Sequence, residues 1–91
     1  MYKVNFTGRF KKDVKRCTKR GLDVSLIAEI VDMLSSNGSL PAAYKPHKLI
    51  GTQGNNTWEC HIQPDWLLIW QQFDDELILL MLSTGSHSDL F

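Results

Sequence analysis

Residues 57–82 read TWECHIQPDWLLIWQQFDDELILLML, and this stretch decides the fold. From Thr57 to Gln63 the residues alternate, with Trp58, Cys60 and Ile62 on one side and Glu59, His61 and Gln63 on the other. That is the period-2 pattern of a half-buried strand. Pro64-Asp65 breaks the run, and WLLIWQQF follows as a second strand. Asp74-Asp75 makes a tight acidic turn into a third, ELILLML. The last two strands are apolar on both faces for much of their length, so they are expected at the centre of a sheet and covered by helices. Connections this short join antiparallel neighbours, which makes the C-terminal half a meander of three or four strands.

Upstream, Tyr2-Lys3-Val4-Asn5-Phe6 alternates in the same way and predicts an N-terminal strand. Thr7 is placed to cap a helix with Phe10, Val14 and Cys17 on its apolar face, ending at Gly21. The opposite face carries Lys11, Lys12, Lys15, Arg16 and Lys19. A second helix is expected from Ser25 to Ser35, with Leu26, Ile27, Ile30, Val31 and Leu34 as its apolar stripe. Asp23 or Ser25 is its candidate cap, and Ser36-Asn37-Gly38 ends it. The prolines of SLPAAYKPHK, residues 39–48, predict an extended loop, and Gly51 to Asn56 a turn. The expected architecture is one α+β domain over residues 1–91: an N-terminal strand, two helices, then the antiparallel meander.

At 43% hydrophobic and 22% charged, the chain is composed like a globular domain and unlike a disordered one. Cys17 and Cys60 are too few and too far apart for a disulfide framework. With no leader-like or membrane-spanning run, a reduced, cytoplasmic setting is expected. The zero net charge conceals an asymmetry. All ten Lys and Arg lie at or before Lys48, against four acids there, a balance of +6, and the remaining six acids follow unopposed, a balance of −6. Either the first helix meets a polyanion, or it is a solvated surface beside an acidic sheet edge.

The three histidines, His47, His61 and His87, all fall late. A meander brings neighbouring strand ends together, so the three can converge at one sheet face. Imidazole titrates near neutrality, and a pair of imidazoles supplies a base and an acid at once. RNA cleavage without metal needs such a pair, one group taking the ribose 2′-OH proton and the other protonating the departing 5′-oxygen. A three-histidine zinc site is the competing reading, but no two histidines have the close spacing of a metal motif. No cofactor and no metal are expected.

Glu59-Cys60-His61-Ile62-Gln63-Pro64-Asp65-Trp66-Leu67-Leu68-Ile69 resembles the H-I/V-x-P-D-W-I/L-L-I-Y block of YafQ-type toxins, members of the RelE/ParE toxin superfamily. Thr84-Gly85-Ser86-His87-Ser88-Asp89-Leu90-Phe91 is similar to their T-G-S/T-H-x-x-L-F tail. Leu40 to Leu49 resembles their L-P-x-x-Y-x-D-H-x-L loop, and Phe10 to Lys15 the start of their first helix. The resemblance runs through nearly the whole chain in order. It implies a RelE-like fold and a ribosome-dependent mRNA endonuclease, silenced by a small DinJ- or RelB-like antitoxin.

Carried over residue by residue, the resemblance implies a catalytic set of His47, His61, Asp65 and His87. His87 is the candidate acid, His47 or Asp65 the base, and His61 the phosphate ligand. Trp66 and Phe91 occupy positions that line the site, where an aromatic face stacks on a base, while plain core packing is an equal reading for Trp66. The basic helix face of Lys11, Lys12, Lys15, Arg16 and Lys19 fits contact with ribosomal RNA. The chain also departs from the pattern. Trp58 and Ser83 stand where relatives commonly carry arginine, a natural phosphate clamp. Pro46 replaces the loop aspartate, and Trp70 a tyrosine. Lys45 and Lys48, flanking His47, are expected to supply part of the missing charge. The rival reading is a toxin on the same fold that acts by binding, either a ParE-like gyrase inhibitor or a weakened nuclease that still holds antitoxin or ribosome.

Overall fold

The computed structural model describes residues 1–50 and 56–91. The elements run β1 (Lys3–Phe6), α1 (Gly8–Lys19), α2 (Ser25–Asn37), a 3₁₀ turn (Ala42–Tyr44), β2 (His47–Lys48), β3 (Thr57–Gln63), β4 (Trp66–Phe73), β5 (Ile78–Gly85) and α3 (His87–Leu90). The α+β architecture, with its N-terminal strand, two helices and C-terminal meander, is as the sequence predicts. The expected turn from Gly51 lies outside the described residues up to its last position, Asn56.

Thr7 caps α1 as read: its hydroxyl oxygen accepts from the Phe10 amide at 3.0 Å and its hydroxyl donates to the Leu82 carbonyl at 3.0 Å, tying the helix start to β5. At the start of α2, Asp23 Oδ1 accepts from both the amide and the hydroxyl of Ser25. The helix runs two residues beyond the expected Ser35 and closes at Gly38, which is left-handed at φ 68 and donates to the Leu34 carbonyl at 2.8 Å. Glycine is required there twice over, since a Cβ would also lie 2.7 Å from the Tyr2 hydroxyl oxygen.

The sheet order is β1-β5-β4-β3-β2. β2 to β5 form an antiparallel meander, while β1 joins β5 in parallel, with Val4 opposite Leu79. The central strands are β4 and β5, as their apolar runs require. One boundary moves: Glu76 and Leu77, read as strand, belong to the turn. The Glu76 amide bonds to Phe73 and the Leu77 amide to Asp74, and Leu77 turns left-handed at φ 54, so β5 begins at Ile78.

The helices pack on one face of the sheet. Phe10, Cys17, Ile27, Ile30 and Leu34 meet Cys60, Ile62, Trp66, Leu68, Trp70, Leu79 and Met81 there. Register puts Trp58, Cys60, Leu68 and Trp70 on this side, and Glu59, His61, Leu67 and Ile69 on the other. Leu67 and Ile69 are buried as well, so the strand centres are closed on both faces.

Both thiols are fully buried; burial pushes Cys60 up to about 12 and raises Cys17 as well. A thiol with its pKa raised this way stays protonated and inert at neutral pH. The native protein should therefore resist a water-soluble alkylating reagent, with both thiols labelled only in denaturant. Mass spectrometry of native and unfolded samples checks this, and rapid native labelling of Cys60 would contradict its placement.

Candidate active site

His61 is carried by β3 on the face away from the helices, and β4 returns beside it with His61 opposite Leu67. The turn between the strands presents Asp65, and β5 ends at Gly85, opposite Leu67. His87 then opens α3. Three chain segments thus deliver His61, Asp65 and His87 to one end of the sheet. The rings of His61 and His87 lie 6.2 Å apart, and Phe91 packs its ring 6.3 Å from His87.

Asp65 holds His87 at two points: Oδ1 lies 3.1 Å from the ring Nδ1 and 3.2 Å from the backbone amide. These bonds hold the Asp65 carboxyl below its ordinary pKa, the side-chain bond contributing most. A carboxylate acceptor sets Nδ1 as the protonated nitrogen and leaves Nε2 to exchange the working proton. His61 has the same arrangement, with Nδ1 3.3 Å from the Pro64 carbonyl. Neither Nε2 has a hydrogen-bond partner among the described residues.

His47 differs. Its Nδ1 faces the Lys45 carbonyl at 3.1 Å and its Nε2 faces Glu59 at 3.2 Å. Both neighbours are acceptors, so both contacts are hydrogen bonds together only when the ring is imidazolium. His47 sits opposite Glu59 in the β2–β3 pair, on the same face as His61. Glu59 was not singled out from sequence, though its place one step from His61 in the alternation marks it for this face.

A cleft of about 280 Å³, lined by Lys45, His61, Pro64 and their neighbours, opens beside His61. A second, of about 330 Å³, holds Arg20, Asp65 and Ser86. Gln63 and Pro64 line both, so the β3–β4 turn forms the ridge between them.

Several sequence expectations change. Trp66 is only 2% exposed and lies in the core, its indole N–H donating to the Thr84 hydroxyl at 2.9 Å, so its ring is not available to stack on a base. Phe91, 70% exposed, keeps that possibility. Lys48 pairs with Trp58 and lies 5.7 Å from its ring, on the helix side of the sheet; only Lys45 remains near His61. Trp58 likewise faces the helices, whereas Ser83, opposite Ile69, is buried on the histidine side. Of the two positions where the resemblance implies arginine, only Ser83 is on the histidine face. On α1, Lys11, Lys12, Lys15 and Lys19 are exposed, but Arg16 turns inward to Asp13 and the Thr84 carbonyl. It leaves the row of free cations because a buried carboxylate, Asp13 at 3% exposure, holds it.

The tail contains α3. Ser86 and Asp89 form a capping box, each side chain accepting from the other's amide. The sequence signal was the Ser-x-x-Asp spacing. Among the described residues no three His, Cys, Asp or Glu side chains are grouped to hold a metal ion. No helix among them is long and apolar enough to cross a membrane.

Comparison with known proteins bears on the same residues. The mRNA interferase toxin YafQ of Escherichia coli K12 is 35% identical over 89 residues, 97% of this chain and 94% of that protein. The toxin in the crystal structure of the E. coli DinJ-YafQ complex superposes with a TM-score of 0.90 at 34% identity, covering 100% of this chain and 99% of that one. A metal-bound toxin from Helicobacter pylori superposes at 0.89 and 36% identity, with both chains fully covered. The family described as bacterial toxin of type II toxin-antitoxin system, YafQ, matches residues 2–91. The match takes in the β3–β4 hairpin, His47, and the tail that carries His87, and on that breadth the chain belongs to the YafQ family of type II toxin–antitoxin toxins.

Proposed function

We propose that this chain is an endoribonuclease that cuts translated mRNA on the ribosome by metal-independent acid–base chemistry, and that a cognate antitoxin holds it inactive. The observation that carries this reading is the His61–His87 pair, 6.2 Å apart, with both Nδ1 atoms engaged and neither Nε2 bonded to a described residue. In-line displacement puts the attacking and leaving oxygens on opposite sides of phosphorus, so acid and base must stand apart with the phosphate between them.

In this scheme His61 Nε2 takes the 2′-OH proton and the 2′-oxygen attacks phosphorus. The P–O5′ bond breaks as His87 Nε2 donates its proton to the leaving 5′-oxygen. The products are a 2′,3′-cyclic phosphate and a 5′-hydroxyl. His87 keeps the role the family resemblance implies. The base moves to His61, because both ring nitrogens of His47 already face protein oxygens and Asp65 is occupied by His87. His47, on the same face between Glu59 and the Lys45 carbonyl, is assigned to the phosphate instead. Lys45 adds charge from the neighbouring cleft, and Phe91 offers a stacking face. The exposed lysines of α1 fit ribosomal RNA phosphates, and the DinJ partner of the E. coli toxin supports an antitoxin of that kind.

Ser83 in place of arginine removes a clamp from the histidine face, so cleavage is expected to be slower than in a relative that has one. The same substitution favours the second reading, a toxin that binds without cutting. Primer extension on mRNA with purified toxin separates the two. Cuts ending in cyclic phosphate are expected, dependent on added ribosomes and unchanged when the toxin alone is stripped with EDTA and desalted before it meets them. Intact message under all conditions would leave the binding reading, and cuts lost on stripping the toxin and restored by adding back a metal ion would overturn the metal-free mechanism.

A further inference from the structure

We infer that Arg20 is a positioning residue for His87, acting through Asp89 as the end of a polar row along α1 that holds the segment after β5. The row is Asp13, Arg16 and Arg20. Asp13 Oδ2 accepts from the Thr84 amide at 3.2 Å, and Arg16 Nη2 donates to the Thr84 carbonyl at 3.2 Å. Both backbone polar groups of Thr84 are therefore taken by α1 side chains, with Asp13 and Arg16 paired at 3.2 Å between them. Arg20 continues the row by gripping Asp89 as a fork, Nη1 to Oδ2 at 2.6 Å and Nη2 to Oδ1 at 3.0 Å.

Asp89 has a second task. Its Oδ2 also accepts from the Ser86 amide at 2.9 Å, closing the capping box of the one-turn helix that begins with His87. A helix this short does not hold itself together in water, since nucleation is unfavourable and only a few backbone bonds form. The Arg20 fork fixes Asp89 to α1, Asp89 fixes Ser86, and the His87 ring is left over Asp65. Gly85 makes the approach possible. At φ 157 it lacks the Cβ that would fall 2.8 Å from Asp89 Oδ2 and 3.0 Å from Arg16 Nη2. The charge split of the chain gains a local meaning here, because a cation of the basic half clasps the last acid of the acidic half.

The activity arm of the test rests on the nuclease reading; the structural arm does not. Arg20 is about half exposed, so Arg20→Ala should fold. Expected are a fall in kcat of about tenfold with KM within about twofold, as for a lost alignment. Arg20→Lys should recover only part of the loss, since an ammonium cannot reproduce the fork. Independently, ¹⁵N-edited imidazole spectra should show His87 protonated at Nδ1 in the parent chain and a mixture of tautomers in Arg20→Ala. Backbone relaxation should show residues 87–91 mobilised while β4 and β5 stay rigid. Unchanged His87 spectra and tail relaxation in Arg20→Ala would overturn the inference, whether or not any RNA is cut. So would a rise in KM alone, which would make Arg20 a substrate contact. If the parent chain cuts nothing, the nuclease reading fails and the spectra alone decide the role of Arg20.

Discussion

Replacing His87 with alanine should lower mRNA cleavage by about 100- to 10,000-fold, the usual worth of one positioned proton transfer. The chain should remain folded. The His87 side chain is 58% exposed, and its segment is held by Ser86, Asp89 and Arg20 rather than by the imidazole. Loss should therefore appear in kcat, with the melting temperature and the far-ultraviolet spectrum nearly unchanged. Losing the acid alone leaves a poor leaving group, so single-turnover cleavage should fall as steeply as multiple-turnover cleavage. Retention of cleavage within threefold of the parent would remove His87 from the mechanism and leave Asp65 as the acid of a different scheme. A loss of cleavage together with a collapsed melting transition would mean that the ring holds the tail, contrary to the anchoring described above.

The second large effect is on stability. Trp66→Ala should cost about 3–5 kcal/mol, the range for truncating a large buried aromatic side chain. In a chain this short that is a drop in Tm on the order of 15 to 30 °C. Two contributions combine. A cavity opens among the apolar side chains of the helix-side core, and the Thr84 hydroxyl loses its indole donor while still donating to the Leu67 carbonyl at 2.7 Å. Thermal unfolding measures the effect directly, and RNA affinity measured well below the transition should be unchanged. A variant that melts like the parent yet binds RNA poorly would restore Trp66 to the substrate face and put its burial in error.

The strands and helices were legible because burial periodicity is local. WLLIWQQF can only be a strand closed on both faces, and β4 occupies those eight residues. Thr7, placed directly before an apolar helical stripe, had one sensible role, and it fills that role. The tail was harder to read. Ser-x-x-Asp is weak alone, and in the fold its aspartate is also gripped by Arg20, 69 positions away. Trp66 was ambiguous for a related reason. A tryptophan beside an expected active-site acid suits a stacking platform as well as a core, and only the strand's register turned it towards α1 and α2.

Sequence alone determined the order of elements, the central place of β4 and β5, and the family pattern that gathers His61, Asp65 and His87. These follow from spacing along the chain, which local geometry converts directly into faces and ends. Tertiary structure alone decided which cations of α1 are exposed, which side of the sheet Lys48 takes, that Glu59 occupies His47, and that His61 and His87 each keep a ring nitrogen unbonded among the described residues. Those outcomes depend on hydrogen-bond partners brought together from distant positions, and a donor's identity says nothing of its acceptor until the chain has folded.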